Sequence, residues 1–542
     1  MHFVTHTCRA VVLMSLILLS ACNGSSTDNQ SSTAVSSNSL TFSVISPDAS
    51  TPAAQTITAT FSTGTLYATV LHSGAAVENV KYTFSGTTAQ VVVTPKSPSS
   101  LGAGLFSEVI TITGYRCVDA SCSGLVSGNS QVVKVTYLIP PIVRQVAPYV
   151  GTSNAEESVI LRGQGFSKVS IASVKFGATA VSTFTVVNDN VIQVKHPALA
   201  AGTYAVNIDA PTAPMVITSS ANLVVVDAPS YTATTLTYPS ASPQIAQLLY
   251  DAERRALLVA VSPPLTGSQI LRFAFVSGTT WGPVTSFTRD NLSDIALSTN
   301  GQELFALSRT ELIQINPASF TVDVATAGPS LATNVFLKNL GVLNNGNALV
   351  TTGYSSSLGT PLYLYSAREN TFSLASATSL DNASTRVSAD GSLVVLPGGN
   401  STLTYATTVY RYNAATSIFS SSGIVLNQNS VAPALDRSAT RIVLNGTNIY
   451  DNMSSLFGTL PATTLAVVLK PDASRAYTFD SDSKLHSFDI SASASGSAYT
   501  ELGSGTVLAG NPGTGVKMTI SPDGGTVFIA GSNMIVVQPS PP

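Results

Sequence analysis

The side chains that could carry catalytic or metal chemistry are few in this sequence and lie far apart along it. The 542 residues include five histidines and four cysteines, and His72, His196 and His486 fall in three separate segments. Neither an H-E-x-x-H nor a C-x-x-C spacing occurs, so no residues with zinc-ligand spacing stand together. We therefore expect no metal site, no cofactor and no catalytic residue that spacing alone could identify.

One local cysteine pair, Cys117 and Cys122, lies in the string RCVDASCSG. In an exported protein such a pair predicts a disulfide across a loop. The alternative, a redox or metal pair, is less favoured because the spacing is not C-x-x-C and no histidine lies nearby. A ring this small would stabilise the fold by only about 2 kcal/mol.

The N-terminus has the pattern of a secretory segment. Arg9 precedes an apolar run from Ala10 to Ala21, which is too short to span a bilayer but fits a signal peptide over residues 1–21. Its end, LSAC, resembles the lipobox of bacterial lipoproteins. That resemblance implies cleavage before Cys22 and lipid on Cys22, which would be the protein's membrane partner; an ordinary signal peptide is the alternative.

The segment after the lipobox predicts a flexible tether over residues 22–39. It consists almost entirely of Ser, Thr, Asn, Gln and Gly, and such a composition cannot bury a core. Asn23, in place of Asp, resembles lipoproteins that are sent to the outer membrane of Gram-negative bacteria. We therefore expect an exported protein, lipid-anchored to the cell envelope at the outer membrane.

The composition favours an all-β protein and excludes a nucleic-acid partner. Only 10% of the residues are charged, against about 25% in ordinary soluble domains, and hydroxyl and β-branched residues are abundant, as in strands with solvent-facing surfaces. The net charge is −3 without a basic cluster, whereas binding to phosphates needs clustered cations.

Residues 40–139 alternate in the way expected of half-buried strands. In QVVKVTYLI, one face holds Val133, Val135, Tyr137 and Ile139, while the other holds Lys134 and Thr136. Several such strands separated by Gly and Ser turns predict an immunoglobulin-like sandwich. The segment looks like the Ig-like modules of bacterial surface lipoproteins.

Residues 140–227 predict a second sandwich, which opens on Pro140-Pro141. The series PPIVRQVAPYVGT, VILRGQGFSKV, SVKFGATAV and NVIQVKHPALAAGTYAVNI resembles the IPT/TIG domain. The marks of this resemblance are Pro148, Gly163-x-Gly165-Phe166, Phe176-Gly177, Pro197 and Gly202. It implies an Ig-like β-sandwich.

Residues 228–542 contain seven repeats of a strand, a polar turn and a second strand, roughly 45 residues apart. Examples are IALSTNGQELFAL, TRVSADGSLVVL and MTISPDGGTVFIA. The series is similar to the seven-bladed β-propellers of the YVTN and WD40-like families, although the WD dipeptides are absent. The last repeat lacks one strand, so we expect Thr232–Tyr238 to complete it beside MIVVQP.

In a propeller, the strand before each turn lines a central channel. The residue six positions before each turn then lies near one channel mouth, and the polar residues there, together with Arg386, form a candidate ligand site: Asp294, Asn339, Ser384, Arg386 and Lys517. The alternative is a solvated channel with no ligand, because polar channels are ordinary in propellers.

The predicted function is a non-catalytic, lipid-anchored envelope protein whose two sandwiches present a propeller to a protein or glycan partner. This function follows mainly from architecture, which alone does not fix function. One alternative is an enzyme, a polysaccharide lyase or hydrolase, which would need paired carboxylates or a histidine at one face. Whether Asp294, Arg386 and Lys517 converge within hydrogen-bond reach distinguishes this alternative. The other is an envelope-assembly scaffold with an exposed apolar patch or an open strand edge.

Overall fold

The computed structural model describes residues 32–118, 121, 123–211, 221–262, 267–354, 361–376, 384–397, 407–414, 417–426, 432–452 and 455–542. Over these ranges the protein is nearly all β, and its single helix, α1, has four residues (Pro98–Leu101). Within the same ranges no helix is long and apolar enough to cross a membrane. The predicted signal segment, Cys22 and Cys122 lie outside the described residues.

The first compact unit comprises the described residues up to Thr41 together with Ala53–Pro95 and Ser107–Thr136. The strands of the N-terminal region are β1 (Thr33–Val35), β2 (Ser39–Ser43), β3 (Gln55–Phe61), β4 (Thr65–Ser73), β5 (Val77–Ser85), β6 (Thr88–Pro95), β7 (Gly104–Cys117), β8 (Leu125–Ser127) and β9 (Gln131–Ile139). They form two sheets, with strand orders β1-β3-β6-β5 and β2-β9-β7-β4, and β8 pairs with β7. In β9 the predicted alternation is confirmed: Val133, Val135, Tyr137 and Ile139 are buried.

The predicted tether is too long at its C-terminal end. Strand β1 lies inside residues 22–39 and pairs antiparallel with β3, with Thr33 opposite Phe61. A short strand of Thr, Ala and Val in a protein that has few charges resembles a linker in composition, although Thr and Val favour strands.

The second compact unit contains the remaining described residues, including all those from Tyr137 onward. Its first strands are β10 (Ile142–Ala147), β11 (Val150–Thr152), β12 (Glu157–Gln164), β13 (Ser173–Phe176), β14 (Thr179–Val181), β15 (Phe184–Asn188), β16 (Val191–His196), β17 (Gly202–Asp209) and β18 (Asn222–Val226). They form two sheets of orders β10-β12-β16-β15 and β11-β18-β17-β13-β14. Leu161, Phe166, Phe176, Ile192 and Leu223 are buried in their shared core. We call strands β10–β18 the second sandwich.

Seven further sheets follow in sequence order, and we number them sheets 1 to 7. Their strands are β19 (Thr234–Leu236), β20 (Gln244–Asp251), β21 (Ala256–Ser262), β22 (Gln269–Ser277), β23 (Thr280–Trp281), β24 (Thr285–Thr288), β25 (Leu292–Leu297), β26 (Leu304–Ser308), β27 (Glu311–Ile315), β28 (Val322–Ala327), β29 (Val335–Val342), β30 (Asn347–Tyr354), β31 (Leu362–Ser366), β32 (Thr371–Ser376), β33 (Arg386–Val387), β34 (Leu393–Pro397), β35 (Thr407–Asn413), β36 (Ile418–Leu426), β37 (Ala434–Leu435), β38 (Arg441–Leu444), β39 (Asn448–Asp451), β40 (Ser455–Thr459), β41 (Thr464–Leu469), β42 (Arg475–Asp480), β43 (Lys484–Asp489), β44 (Thr506–Val507), β45 (Lys517–Ile520), β46 (Thr526–Ala530) and β47 (Ile535–Pro539). Sheet 1 has the order β20-β21-β22-β23, with β24 also beside β22; sheets 2 to 6 each take the next four strands in order; and sheet 7 has the order β19-β47-β46-β45.

The seven sheets contact one another in a cycle. The first strands touch in the succession β20, β25, β29, β33, β37, β41 and β45, and β45 in turn contacts β20. Neighbouring sheets also share buried apolar clusters, such as Leu258 with Ile295 and Val468 with Val527. β19 pairs antiparallel with β47, which is the pairing predicted from the missing strand.

Candidate functional site

The first strands of all seven sheets line one cavity of about 440 Å³. Its wall includes one or more residues from each of these strands: Leu248, Ile295, Leu340, Val387, Leu435, Leu469 and Met518. We call the space enclosed by the seven first strands the channel. Because every sheet contributes to it, the channel is where side chains from distant repeats can act together.

A loop of the second sandwich covers one end of the channel. Pro148, Tyr149 and Val150 line the cavity beside the residues that follow the first strands. Gly301 has a φ of +67°, and a Cβ built on it would lie 1.9 Å from Cζ of Tyr149, so the aromatic ring occupies the space that a side chain would need. Burial raises the pKa of Tyr149, and the charges of Asp251 and Glu253 raise it further. We call this the covered end.

An ion pair holds the second sandwich on the covered end. Nη1 of Arg437 lies 2.8 Å from Oε2 of Glu157, and these side chains are only 9% and 14% exposed. Nη2 of Arg437 donates a hydrogen bond of 3.0 Å to the carbonyl of Val150. Burial lowers the pKa of Arg437, which Glu157 opposes. Because burial of each charge is costly without its partner, the pair is stable only when the second sandwich and sheet 5 are in contact.

Glu157 and two polar contacts complete the attachment. Oε2 of Glu157 accepts a hydrogen bond of 3.1 Å from the Thr152 amide and lies 3.4 Å from Nε2 of the buried His196. Burial raises the pKa of Glu157, but the His196 hydrogen bond and the Arg437 charge outweigh burial, so that its pKa is lowered. Elsewhere Gln145 donates to Thr299 at 2.5 Å, and Arg162 donates to Asn344.

Two cations line the opposite end of the channel. Arg386 and Lys517 are the first residues of β33 and β45, and both border a cavity of about 210 Å³. Arg386 also borders the larger cavity, so it connects the two. Burial lowers the pKa of Lys517, and the Arg386 charge lowers it further, while Asp294 opposes both effects. Burial also lowers the pKa of Arg386. We call this the cationic end, and it is suited to an anion rather than to a metal ion.

Asp294 lies on the first strand β25 and is buried, with 2% exposure, and it borders neither channel cavity. Its Oδ1 accepts hydrogen bonds from Gln247 at 3.0 Å and from the Ile295 amide at 2.9 Å, and Oδ2 accepts one from the Leu340 amide at 2.9 Å. Burial raises its pKa, which the Leu340 bond and the Arg386 charge oppose. Asp294 therefore joins three neighbouring first strands.

Asp294 acts electrostatically on Arg386 and Lys517 without forming an ion pair with either. Asp294, Arg386 and Lys517 are all described, and no ion pair within 4.0 Å joins the carboxylate to either cation. With both oxygens held by N–H donors, Asp294 does not present a free carboxylate for general acid–base work. Its role in this geometry is structural.

The other two predicted mouth residues sit beside the channel cavities rather than in their walls. Asn339 lies on β29, and its amide donates a hydrogen bond of 3.2 Å to Oγ1 of Thr351. Ser384 lies just before β33, and its buried Oγ has no hydrogen-bond partner. Neither residue borders either cavity described above.

Comparison with known proteins identifies one segment. The IPT/TIG family profile matches residues 141–238. This segment is an IPT/TIG domain. It extends the predicted boundary of residue 227 and runs into β19, which pairs in sheet 7. The channel is therefore covered at one end by a loop of the TIG domain.

Two further comparisons add little. No curated protein matches the chain. A solved structure titled "Crystal Structure of Mitotic Checkpoint Complex" aligns with 14% identity and a TM-score of 0.40, covering 58% of this chain and 97% of that chain. A likeness at that score carries no argument about fold or function.

Lys338 is a cation of this end that the sequence did not indicate. It precedes Asn339 on β29, where the pairing with β30 shifts register between Leu337 and Asn339. Burial lowers the pKa of Lys338, and the Lys517 charge lowers it further. Lys338 is the extra residue of a β-bulge and has no partner on β30, so a count back from the turn that ends at Asn339 stops one residue short of it. The bulge leaves no signal in a single sequence.

The remaining predicted sites are placed as follows. Cys117 ends β7, and because Cys122 lies outside the described ranges, the disulfide stays a prediction, as does lipid on Cys22. Nδ1 of His72 on β4 lies 2.6 Å from Oε1 of Glu108. His486 on β43, in another sheet, contacts Asp482 and Glu501. In the part of the chain that is described, no group of three or more His, Cys, Asp or Glu could hold a metal ion.

Proposed function

We propose that this chain is a lipid-anchored envelope protein in which the seven sheets form a seven-bladed β-propeller that binds a protein or glycan at its cationic end. The observation that carries the proposal is the asymmetry of the channel. A TIG-domain loop with Tyr149 covers one end, while Lys517 borders only the cavity at the other end, and Arg386 borders both cavities. A ligand that enters the channel therefore has the cationic end available to it.

The propeller interpretation is supported by the cycle of contacts among the seven first strands and by the β19–β47 pairing. A ring that closes with one strand from its N-terminal side leaves no unpaired edge at that junction. The Ig-like TIG domain then acts as a rigid support, because the Glu157–Arg437 pair ties it to sheet 5. Support of this kind would present the channel in one orientation.

The membrane anchor is supported by the sequence LSAC before Asn23. A thioether-linked diacylglycerol with an N-acyl chain buries many methylenes, each contributing about 0.8 kcal/mol, so attachment would be stable. The test is metabolic labelling with an alkyne palmitate of the full chain and of a Cys22→Ala variant in a Gram-negative host. Label and outer-membrane fractionation should be lost together in the variant. Label retained in Cys22→Ala would contradict the anchor.

Binding itself is tested by incubating the purified full chain with a glycan array and with envelope extracts. We expect the chain to retain a glycan or an envelope protein, and an Arg386→Ala, Lys517→Ala double variant to retain much less of it. The matched control removes two exposed cations that lie away from the cavities, Arg368→Ala and Arg411→Ala. Equal retention by both double variants would place binding elsewhere on the molecule.

A further inference from the structure

The cationic end carries more positive charge than its neighbours neutralise. Arg386 and Lys517 are close enough for each charge to act on the other, and Lys338 acts on Lys517 in the same way. The Asp294 carboxylate opposes the charges of Arg386 and Lys517, and its oxygens already accept three N–H bonds. Like charges held together in a poorly solvated site are costly unless an anion joins them.

The donors of the two channel-lining cations are largely uncommitted. Nη1 of Arg386 donates to the carbonyl of Thr385 at 3.2 Å, while a guanidinium has five N–H donors. Lys517 pairs with Ala530 through its backbone, but among the described residues its ammonium makes neither a hydrogen bond nor an ion pair within 4.0 Å. Both side chains can therefore donate to a ligand without giving up an existing partner.

The size and lining of the site limit what can enter. The cavity that Arg386 and Lys517 border is about 210 Å³, below the ~300–1,000 Å³ usual for drug-sized ligands. The small apolar residues Ala432 and Ala466 line it as well, and Leu465 beside them is 51% exposed. A single ring that carries an acidic group matches a small, mainly polar cavity that has paired cations and two alanines in its wall.

We infer that the cationic end binds an oxyanion, the carboxylate or sulfate of an acidic sugar in an envelope glycan, which Arg386 and Lys517 hold by charge-assisted hydrogen bonds. The inference rests on the proposed function, since it names the ligand class for the same site. The sugar's C–H face would pack against the Ala432 and Ala466 side of the cavity. No covalent step is involved.

The test is isothermal titration of the full chain with trigalacturonate, its neutral methyl ester, sodium sulfate and hexaglutamate. We expect trigalacturonate to bind at least tenfold more tightly than the ester, and sulfate to compete with it. Lys517→Met should weaken trigalacturonate binding at least tenfold, whereas the exposed-site control Arg368→Met should not. Thermal unfolding of both variants verifies that they are folded, and Arg386→Lys, which keeps the charge, should retain most of the affinity.

Four results would overturn the inference. The first two are equal binding of trigalacturonate and its ester, and a trigalacturonate affinity that Lys517→Met does not change. The third is that neither trigalacturonate nor sulfate binds. The fourth is a preference for hexaglutamate, which would assign the site to an acidic protein. The proposed function fails separately, if the full chain retains nothing from the array or the extracts. If the chain binds neutral glycans on the array, the proposed function stands, but the inference that the ligand carries an oxyanion is wrong.

Discussion

Arg437 of sheet 5 and Glu157 of the TIG domain form an ion pair of 2.8 Å in which both side chains are largely buried. The two residues are far apart in sequence, and the pair lies where the TIG loop meets the channel. The attachment of the TIG domain to the seven sheets therefore depends on a contact between oppositely charged groups that water reaches poorly, which makes it sensitive to loss of either partner.

Arg437→Met should destabilise the protein by about 3 kcal/mol, because it leaves the Glu157 carboxylate buried without its cation. Urea unfolding of the full chain measures the change in the free energy of unfolding. The double variant Arg437→Met, Glu157→Gln should lose less than the sum of the single variants. Additive losses would mean that the pair is not coupled.

The contribution of Glu157 to the stability of the folded protein should depend on pH. The pKa of Glu157 is lowered in the folded protein from its usual 4.5, so its stabilisation is present above that value and is lost as pH falls through the folded pKa. Melting temperatures from pH 6 downward should fall less in Glu157→Gln than in the wild type. Parallel curves for the two proteins would contradict the assignment.

His486 should show the opposite dependence. Burial lowers its pKa, but hydrogen bonds with Asp482 and Glu501 outweigh burial, so its pKa is raised from 6.5. Its stabilisation is therefore complete below 6.5 and is lost as pH rises through the folded pKa. NMR titration of the ring should give a midpoint above 6.5. A midpoint at or below that value would exclude the charged His486 contact.

Gly301→Ala should loosen the covered end. The residue would hold a left-handed φ of +67°, which costs an alanine about 1 kcal/mol, and its Cβ would overlap Tyr149. We expect faster hydrogen exchange in Tyr149 and its neighbours, with part of the stability loss relieved in a Gly301→Ala, Tyr149→Ala double variant. If Tyr149→Ala gives no relief, the ring does not occupy the space beside Gly301.

Lys517→Met should stabilise the free protein, by about 1 kcal/mol, because it removes one of the crowded cations and a buried ammonium. Differential scanning calorimetry without ligand measures the rise. A gain in stability combined with a loss of binding would identify Lys517 as retained for function. A lower melting temperature would show that Lys517 supports the fold instead.

Much of the β architecture could be predicted from local sequence. The alternation in β9 gave its buried face, and the incomplete last repeat predicted the β19–β47 pairing, since each repeat has a fixed number of strands. Residues 140–227 carried enough turn glycines and prolines to indicate the TIG domain that the family profile identifies. Strand β1 was missed because it is only three residues long, TAV, and lies in a Ser/Thr-rich segment that has the composition of a tether.

The candidate site was only partly predictable. Arg386 and Lys517 border the cavity at the cationic end, whereas Asp294 borders neither channel cavity, and Lys338 was overlooked. Register shifts in the first strands, as at Lys338, change which side chain faces the channel and depend on backbone pairing across the sheet. Contacts between distant elements, such as Arg437 with Glu157, have no local signal at all.

The most direct test of the proposed function is the affinity of the full chain for whatever glycan or protein it retains from the envelope. The measurement compares the wild type with two double variants: Arg386→Ala, Lys517→Ala at the cationic end, and Arg368→Ala, Arg411→Ala on the outer surface. We predict at least a tenfold loss for the first and no change for the second. Equal affinity in all three proteins would contradict a binding site at the cationic end.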